Sequence, residues 1–228
     1  MNRLLRLGHR GACGYAPENT ITSFRKAIEL GVDMIECDVR LCKSGEIVIL
    51  HDERVDRMTN GHGLVSDLTL QEIKALTIEG GETIPTLAEA LDAIDRKTKV
   101  IIELKHAEVV DPTADLVRHY IEERGWAHDD LFATSFDHYF LARFRERCPG
   151  VGLAAILAGV PIGYAEFGER LGAYSVNMAF PFLTAEFVED AHTRGLKVFA
   201  WTVNEPEDIE RVKALGVDGI FSNFPDRV

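Results

Sequence analysis

Positive charge is scarce in this 228-residue chain: 25 Lys and Arg face 37 Asp and Glu, a formal net charge of −12. That balance argues against nucleic acid as a partner, because a polyphosphate backbone demands a basic footprint. No segment approaches the roughly 20 consecutive apolar residues of a membrane span. The first seven residues carry charges and lack the apolar core of a signal peptide. A cytoplasmic protein with no stable membrane association is expected. Cysteine is sparse as well. Cys13, Cys37, Cys42 and Cys148 show no paired metal-ligand spacing, and reduced thiols suit a cytoplasmic chain. Cys37 and Cys42 fall on or beside a predicted strand, where cysteine behaves as a small apolar residue. Cys13 follows His9 in a loop whose acids disfavour a thiolate, so it is read as a spectator. No Pro/Ser-rich linker, charge block or low-complexity tract divides the chain, so one domain is expected over 1–228.

What is present is an ordinary globular composition, 46% hydrophobic and 27% charged, with short β-rich runs alternating with helical patterns. Strands are predicted over 4–8, 34–39, 100–104, 131–135, 152–157, 174–177, 197–202 and 219–222. Helices are predicted over 19–30, 87–96, 112–123, 137–147, 162–171, 184–194 and 205–215. Eight strands separated by helix-sized intervals predict an α/β fold, a (β/α)8 TIM barrel. A doubly wound sheet is the alternative, but it usually carries a glycine-rich phosphate loop after its first strand, which His9-Arg10-Gly11-Ala12 is not. Two irregularities stand out. The sequence ends at Val228, leaving little or no room for a last helix, and a small insertion of about 43–85 follows the second strand. Its Lys43-Ser44-Gly45 turn and the run 47–50 predict a hairpin arm ending in His51, and insertions at that end of a barrel shape the active site.

Side chains alternate across a strand, so Glu36 and Asp38 share one face while Cys37 and Val39 share the other. Glu103 and Lys105 likewise share a face opposite Leu104. With Leu104, Cys37 and Val39 packed under helices, three carboxylates and a lysine point into the barrel mouth. Unpaired carboxylates are costly to bury. A divalent cation resolves that cost, and three carboxylates suit a hard ion such as Mg²⁺ or Ca²⁺, with Mn²⁺ a further option. The alternative pairs these acids with Lys105 and Arg40 in salt bridges. His9 and His51 come from separate segments, and imidazoles can take and give protons near neutral pH. His62, His106, His119, His128, His138 and His192 lack comparable company and are read as structural. Arg10 suits phosphate oxygens or, alternatively, a salt bridge to a neighbouring acid. Pro17-Glu18-Asn19-Thr20 starts a helix with Asn19 or Thr20 as N-cap; an N-terminus at the mouth also favours an anion. Trp201 reads as an apolar wall or as barrel packing, and Phe136, Asn177 and Phe180 as further pocket walls.

His9-Arg10-Gly11, Pro17-Glu18-Asn19-Thr20, Glu36-x-Asp38-Val39, His51-Asp52, Glu103-x-Lys105 and Trp201-Thr202-Val203-Asn204 occur in this order. Asp218-Gly219-Ile220 and Pro225-Asp226 close the series. With these motifs the chain resembles the glycerophosphodiester phosphodiesterases over essentially its whole length. The resemblance implies a barrel with an insertion after the second strand, catalytic His9 and His51, and a cation held by Glu36, Asp38 and Glu103. It also implies Arg10 and Lys105 near the phosphate. One departure lies at Ser222-Asn223, where an acidic residue is common. The expected reaction is hydrolysis of a glycerophosphodiester, a small-molecule substrate, to sn-glycerol 3-phosphate and an alcohol. One histidine would act as base and the other as acid, with the two roles left undivided. Rival readings are a lysophospholipase D-like or phosphoinositide-cleaving enzyme, a Schiff-base aldolase using Lys105, and a non-catalytic binding barrel.

Overall fold

The computed structural model describes residues 3–228; of the first strand's approach, Met1 and Asn2 lie outside the described residues. Strands β1 (Leu5–Gly8), β2 (Met34–Leu41), β4 (Lys99–Leu104), β5 (Leu131–Ser135), β6 (Gly152–Leu157), β7 (Ser175–Ala179), β8 (Lys197–Trp201) and β9 (Gly219–Ser222) run parallel. β1 pairs with β9 on one side and with β2 on the other, so the sheet closes into a barrel. Strand β3 (Ile47–Ile49) pairs antiparallel with β2, Val39 opposite Ile49, as the hairpin turn predicts. The fold is a (β/α)8 barrel with one extra strand.

Helices α1 (Ile21–Glu29), α3 (Leu87–Ile94), α4 (Ala107–Glu123), α5 (His138–Arg147), α6 (Glu166–Leu171), α7 (Ala185–Thr193) and α8 (Pro206–Ala214) follow the strands. Their starts are written in the sequence. Thr86 and Glu89 form a capping box at α3, and Asp137 and Thr184 cap α5 and α7. Two helix starts differ most from expectation. Helix α4 begins at Ala107 and takes Pro112 inside it. The bond lost at Pro112 would have reached the carbonyl of Glu108, an exposed residue in the helix's first turn. Helix α6 is shorter than 162–171 because Gly163 and Tyr164 hold positive φ angles of 86° and 47°. After β9 the described residues form only a single 3₁₀ turn, Pro225–Arg227.

Outward-facing strand residues, among them Ile35, Cys37, Val39, Ile102 and Leu104, pack with the helices in one apolar cluster. Inside the barrel, Leu7, Met34, Ile101, Phe132, Phe199 and Phe221 fill the lower layers. Gly152 is part of that packing: a Cβ there would lie 2.5 Å from the Phe132 ring. The insertion, including the short helix α2 (Leu70–Lys74), has its own cluster of Cys42, Val48, Leu50, Val55, Val65, Ile73, Ile78 and Ile84. The core therefore fills the lower barrel and leaves polar side chains to the upper, carboxyl-terminal end.

Candidate active site

Glu36 and Asp38 project inward from β2 and are 4% and 1% exposed. Asp38 sits opposite Glu103 in the β2–β4 register. One carboxylate oxygen from each of the three lies within 4.8 Å of the others. Strand parity thus assembles the acidic trio as expected, with Cys37 and Val39 on the helix side.

The loop after β1 reaches over this trio. Gly11, at φ 83°, lies against α1 so closely that a Cβ would meet the carbonyl oxygen of Ser23 at 2.8 Å. Arg10 and Asn19 are also left-handed, at φ 52° and 58°, conformations that cost a non-glycine residue free energy and cluster at functional sites. Both end on the carboxylates. The Arg10 amide donates to Glu36 Oε2 at 2.8 Å, and Asn19 Nδ2 donates to Asp38 Oδ2 at 2.8 Å. Asn19 Oδ1 accepts from the Asp38 amide at 3.3 Å. Thr20, not Asn19, caps α1, its hydroxyl accepting from the Ser23 amide.

Salt bridges are present within the site. Lys105 Nζ lies 2.6 Å from Glu103 Oε1 and 3.2 Å from Asp38 Oδ1, and Arg10 Nε lies 3.3 Å from Asp38 Oδ2. Arg40 is not among the partners; it donates through Nε and Nη2 to the His51 carbonyl at 3.0 and 2.7 Å. These pairs leave the trio incompletely satisfied. Glu36 Oε1 and Asp38 Oδ1 are buried without a hydrogen-bond partner, Asp38 Oδ1 being close to Lys105 but poorly aligned. Burial and the charges of Asp38 and Glu103 push the Glu36 carboxyl well above its usual range. Burial and Asp38 also raise Glu103. Burial opposes ionisation of Asp38 too, but Lys105, Arg10 and His51 outweigh it and hold that carboxyl low. Two orphaned oxygens in a trio of hard donors fit a divalent cation, which would replace repulsion with coordination.

The histidines flank the trio and differ in their partners. His9 Nδ1 lies 2.7 Å from Asn223 Oδ1. An amide oxygen only accepts, so Nδ1 carries the proton and Nε2 keeps a lone pair. Burial and the neighbouring Arg10 charge lower the His9 pKa to about 4. His51 Nδ1 instead lies 2.8 Å from the Asp52 carboxylate. Asn223, at the position where the motif departs from the resembled family, is therefore the side chain that orients His9. The main-chain amide of Asn223 donates to Asn204 Oδ1 at 2.8 Å.

A cavity of about 170 Å³ joins these groups. Its lining combines the ionisable His9, Arg10, Glu36, His51, Glu103 and Lys105 with the apolar Phe136, Ile156, Trp201 and Phe221 and the polar Thr134, Asn177 and Thr202. Trp201 donates through Nε1 to the Asn177 carbonyl at 2.9 Å and meets Phe136 edge to face at 5.5 Å. Phe180 is not among the lining residues; it packs in the α7–α8 cluster beneath the Arg211 guanidinium, 5.3 Å from its ring. None of the six other histidines lines the cavity. Burial pushes the Cys13 thiol up to about 12, consistent with a spectator. Lys105 is raised: burial opposes its charge, but Asp38 and Glu103 more than offset that. A Schiff-base lysine needs the opposite shift.

Nothing in the sequence marks Arg57, yet it joins two parts of the site. Its Nε and Nη2 donate to Asp52 at 2.6 and 3.0 Å, and its Nη2 and Nη1 donate to Glu18 at 2.7 and 3.1 Å. Glu18 in turn accepts from Arg10 Nη1 at 2.9 Å.

The model of the glycerophosphoryl diester phosphodiesterase family matches residues 9–227. A glycerophosphodiester phosphodiesterase of Caldanaerobacter subterraneus subsp. tengcongensis is 37% identical, the match covering 98% of this chain and 96% of the relative. Among solved structures, an Oleispira antarctica phosphodiesterase in complex with the product sn-glycerol-3-phosphate superposes with a TM-score of 0.88 at 30% identity, covering 97% of this chain and 93% of that one. A Galdieria sulphuraria structure described as a glycerophosphodiester phosphodiesterase gives 0.86 at 32% identity, covering 98% and 95%. The chain belongs to the glycerophosphoryl diester phosphodiesterase family and is an enzyme of the glycerophosphodiester-cleaving class.

Proposed function

We propose that the enzyme hydrolyses soluble glycerophosphodiesters to sn-glycerol 3-phosphate and an alcohol, using a divalent cation at Glu36, Asp38 and Glu103 and two histidines as acid and base. The observation that carries this reading is the pair of buried, unpartnered carboxylate oxygens of Glu36 and Asp38 beside a cavity that both imidazoles line. The bound cation, Mg²⁺ or Ca²⁺, would supply Lewis-acid stabilisation of charge on the phosphoryl group. Arg10 and Lys105 hold the phosphate oxygens, their pairing with the acids being exchanged in part for the anion. His9, neutral and with Nε2 free, takes the proton of the attacking hydroxyl or water. A P–O bond forms to that oxygen as the P–O bond to the alcohol breaks, and His51, whose Nδ1 proton is held by Asp52, delivers its Nε2 proton to the departing alkoxide. Attack by the substrate's own 2-hydroxyl would give a cyclic phosphate, which water then opens. The four unpaired cysteines suit a reducing, cytoplasmic setting.

A substrate panel with Mg²⁺, Ca²⁺ or Mn²⁺, read by release of glycerol 3-phosphate, tests the activity. His9→Ala and His51→Ala, each verified as folded, should each lose at least about 100-fold in turnover. Near-normal turnover by both would sink the two-histidine reading.

One observation favours a second substrate class, the lysophospholipids. Phe136, Ile162 and Phe182, exposed by 53%, 106% and 43%, lie on the connections after β5, β6 and β7, and Tyr139, exposed by 86%, on the first turn of α5, at the cavity's end of the barrel. An acyl chain leaving the cavity past Phe136 would meet this apolar rim.

A further inference from the structure

The insertion carries His51 but is not part of the barrel wall, so something must fix the imidazole relative to the barrel-borne phosphate-binding groups. Two guanidinium groups meet this segment, and they do different work. Arg40 of β2 grips the His51 carbonyl and so holds the main chain. Arg57 makes no hydrogen bond to His51 itself. It binds Asp52, whose Oδ1 is the partner of His51 Nδ1, and on its other edge it binds Glu18 of the β1–α1 loop. Glu18 is the partner of Arg10, and Arg10 reaches Asp38. A chain of charge-assisted contacts therefore runs His51–Asp52–Arg57–Glu18–Arg10–Asp38, crossing once from insertion to barrel, at Arg57. Fork-shaped pairing of one guanidinium with two carboxylates fixes direction as well as distance, which a point charge cannot do.

We propose that Arg57 is a positioning residue for the reaction: by bridging Asp52 and Glu18 it holds the His51 ring in line with Arg10 across the mouth. The proposal rests on the reading that His51 protonates the leaving alkoxide. Without Arg57, the Asp52 carboxylate loses its second anchor and is free to turn, and His51 loses its fixed Nδ1 partner while Arg40 still holds its backbone. The insertion keeps its own apolar cluster, which Arg57 meets through Met58 Sδ at 3.1 Å without supplying a core side chain, so the fold should survive. Misplacement of an acid by about 1 Å is enough to cost on the order of 100-fold.

The test compares two glycerol phosphodiesters: glycerophosphocholine, whose alkoxide needs a proton, and glycerol 3-(4-nitrophenyl phosphate), whose nitrophenolate departs without one. For Arg57→Ala, kcat on glycerophosphocholine should fall about 100-fold with KM within about threefold, while kcat on the nitrophenyl ester should fall less than about fivefold. Arg57→Lys should recover only part of the loss. Glu18→Gln, the milder cut in the same chain, should lose less, and the Arg57→Ala/Glu18→Gln pair no more than Arg57→Ala alone. Equal losses on both substrates, a defect confined to KM, or full rescue by lysine would overturn the positioning role while leaving the function intact. A folded wild-type enzyme inactive on both esters with any divalent cation would instead remove the underlying reading, and the proposal with it.

Discussion

The two halves of the cavity mouth are built from opposite materials. The half formed by β1, β2, β4 and the insertion carries His9, Arg10, Glu18, Glu36, Asp38, His51, Asp52, Arg57, Glu103 and Lys105. The half after β6 and β7 has no charged residue over 156–165 or over 175–185. The division is chemical. A phosphoryl group needs opposing charges placed close together, and burying those charges requires that each be paired or coordinated. Hence Glu18, Asp38, Asp52 and Glu103 are ion-paired, while Glu36, with no ion pair among the described residues, is left for coordination. The other half of the cavity presents rings and the Asn177 side chain, a lining suited to an uncharged or diffusely charged group.

This contrast can be broken from either side. The largest effect should come from the trio: Glu36→Gln or Asp38→Asn should lower turnover by about 1000-fold or more, with cation binding by calorimetry lost in parallel. Activity surviving both changes would mean that the acids serve only as salt-bridge partners for Arg10 and Lys105. Arg10→Lys should follow, at about 10- to 100-fold in kcat/KM, because lysine retains the charge but not the fork. On the apolar half, Phe136→Ala should leave glycerophosphocholine turnover within about threefold and raise KM for a lysophospholipid about tenfold. Equal effects on the two substrates would return Phe136 to simple packing.

The smallest expected effect is on stability. The His9 pKa is lowered in the fold, from 6.5 to about 4, so between those values the unfolded chain binds the extra proton and the fold does not. Stability should therefore fall as pH falls from 6.5 toward 4. His9→Gln should flatten the slope in urea melts across this window. An unchanged slope would show that His9 is no more shielded from protonation than in the unfolded chain.

Much of the charged half was legible in the sequence because strand period is a local rule. Glu36, Asp38 and Glu103 follow from alternation along two neighbouring strands, as does the outward turn of Cys37. The hairpin arm likewise followed from a turn and an apolar run. What escaped depends on contacts that periodicity does not reach. Asn223 meets His9 across 214 residues, and Arg57 meets Glu18 across 39 through the fold of the insertion. The sequence left the cap open between Asn19 and Thr20; the left-handed backbone of Asn19 turns its side chain onto Asp38 and leaves the cap to Thr20. Phe180 was misplaced for a related reason: the 3₁₀ turn Phe180–Phe182 redirects the chain after β7, so its ring joins the helix layer and not the cavity.

The central claim is that the acidic trio holds a divalent cation on which turnover depends. The direct measurement is glycerol 3-phosphate release from glycerophosphocholine by chelator-treated enzyme, titrated with Mg²⁺ or Ca²⁺. The account predicts no turnover before addition and recovery that saturates at one cation per chain. Full activity in excess chelator would contradict it.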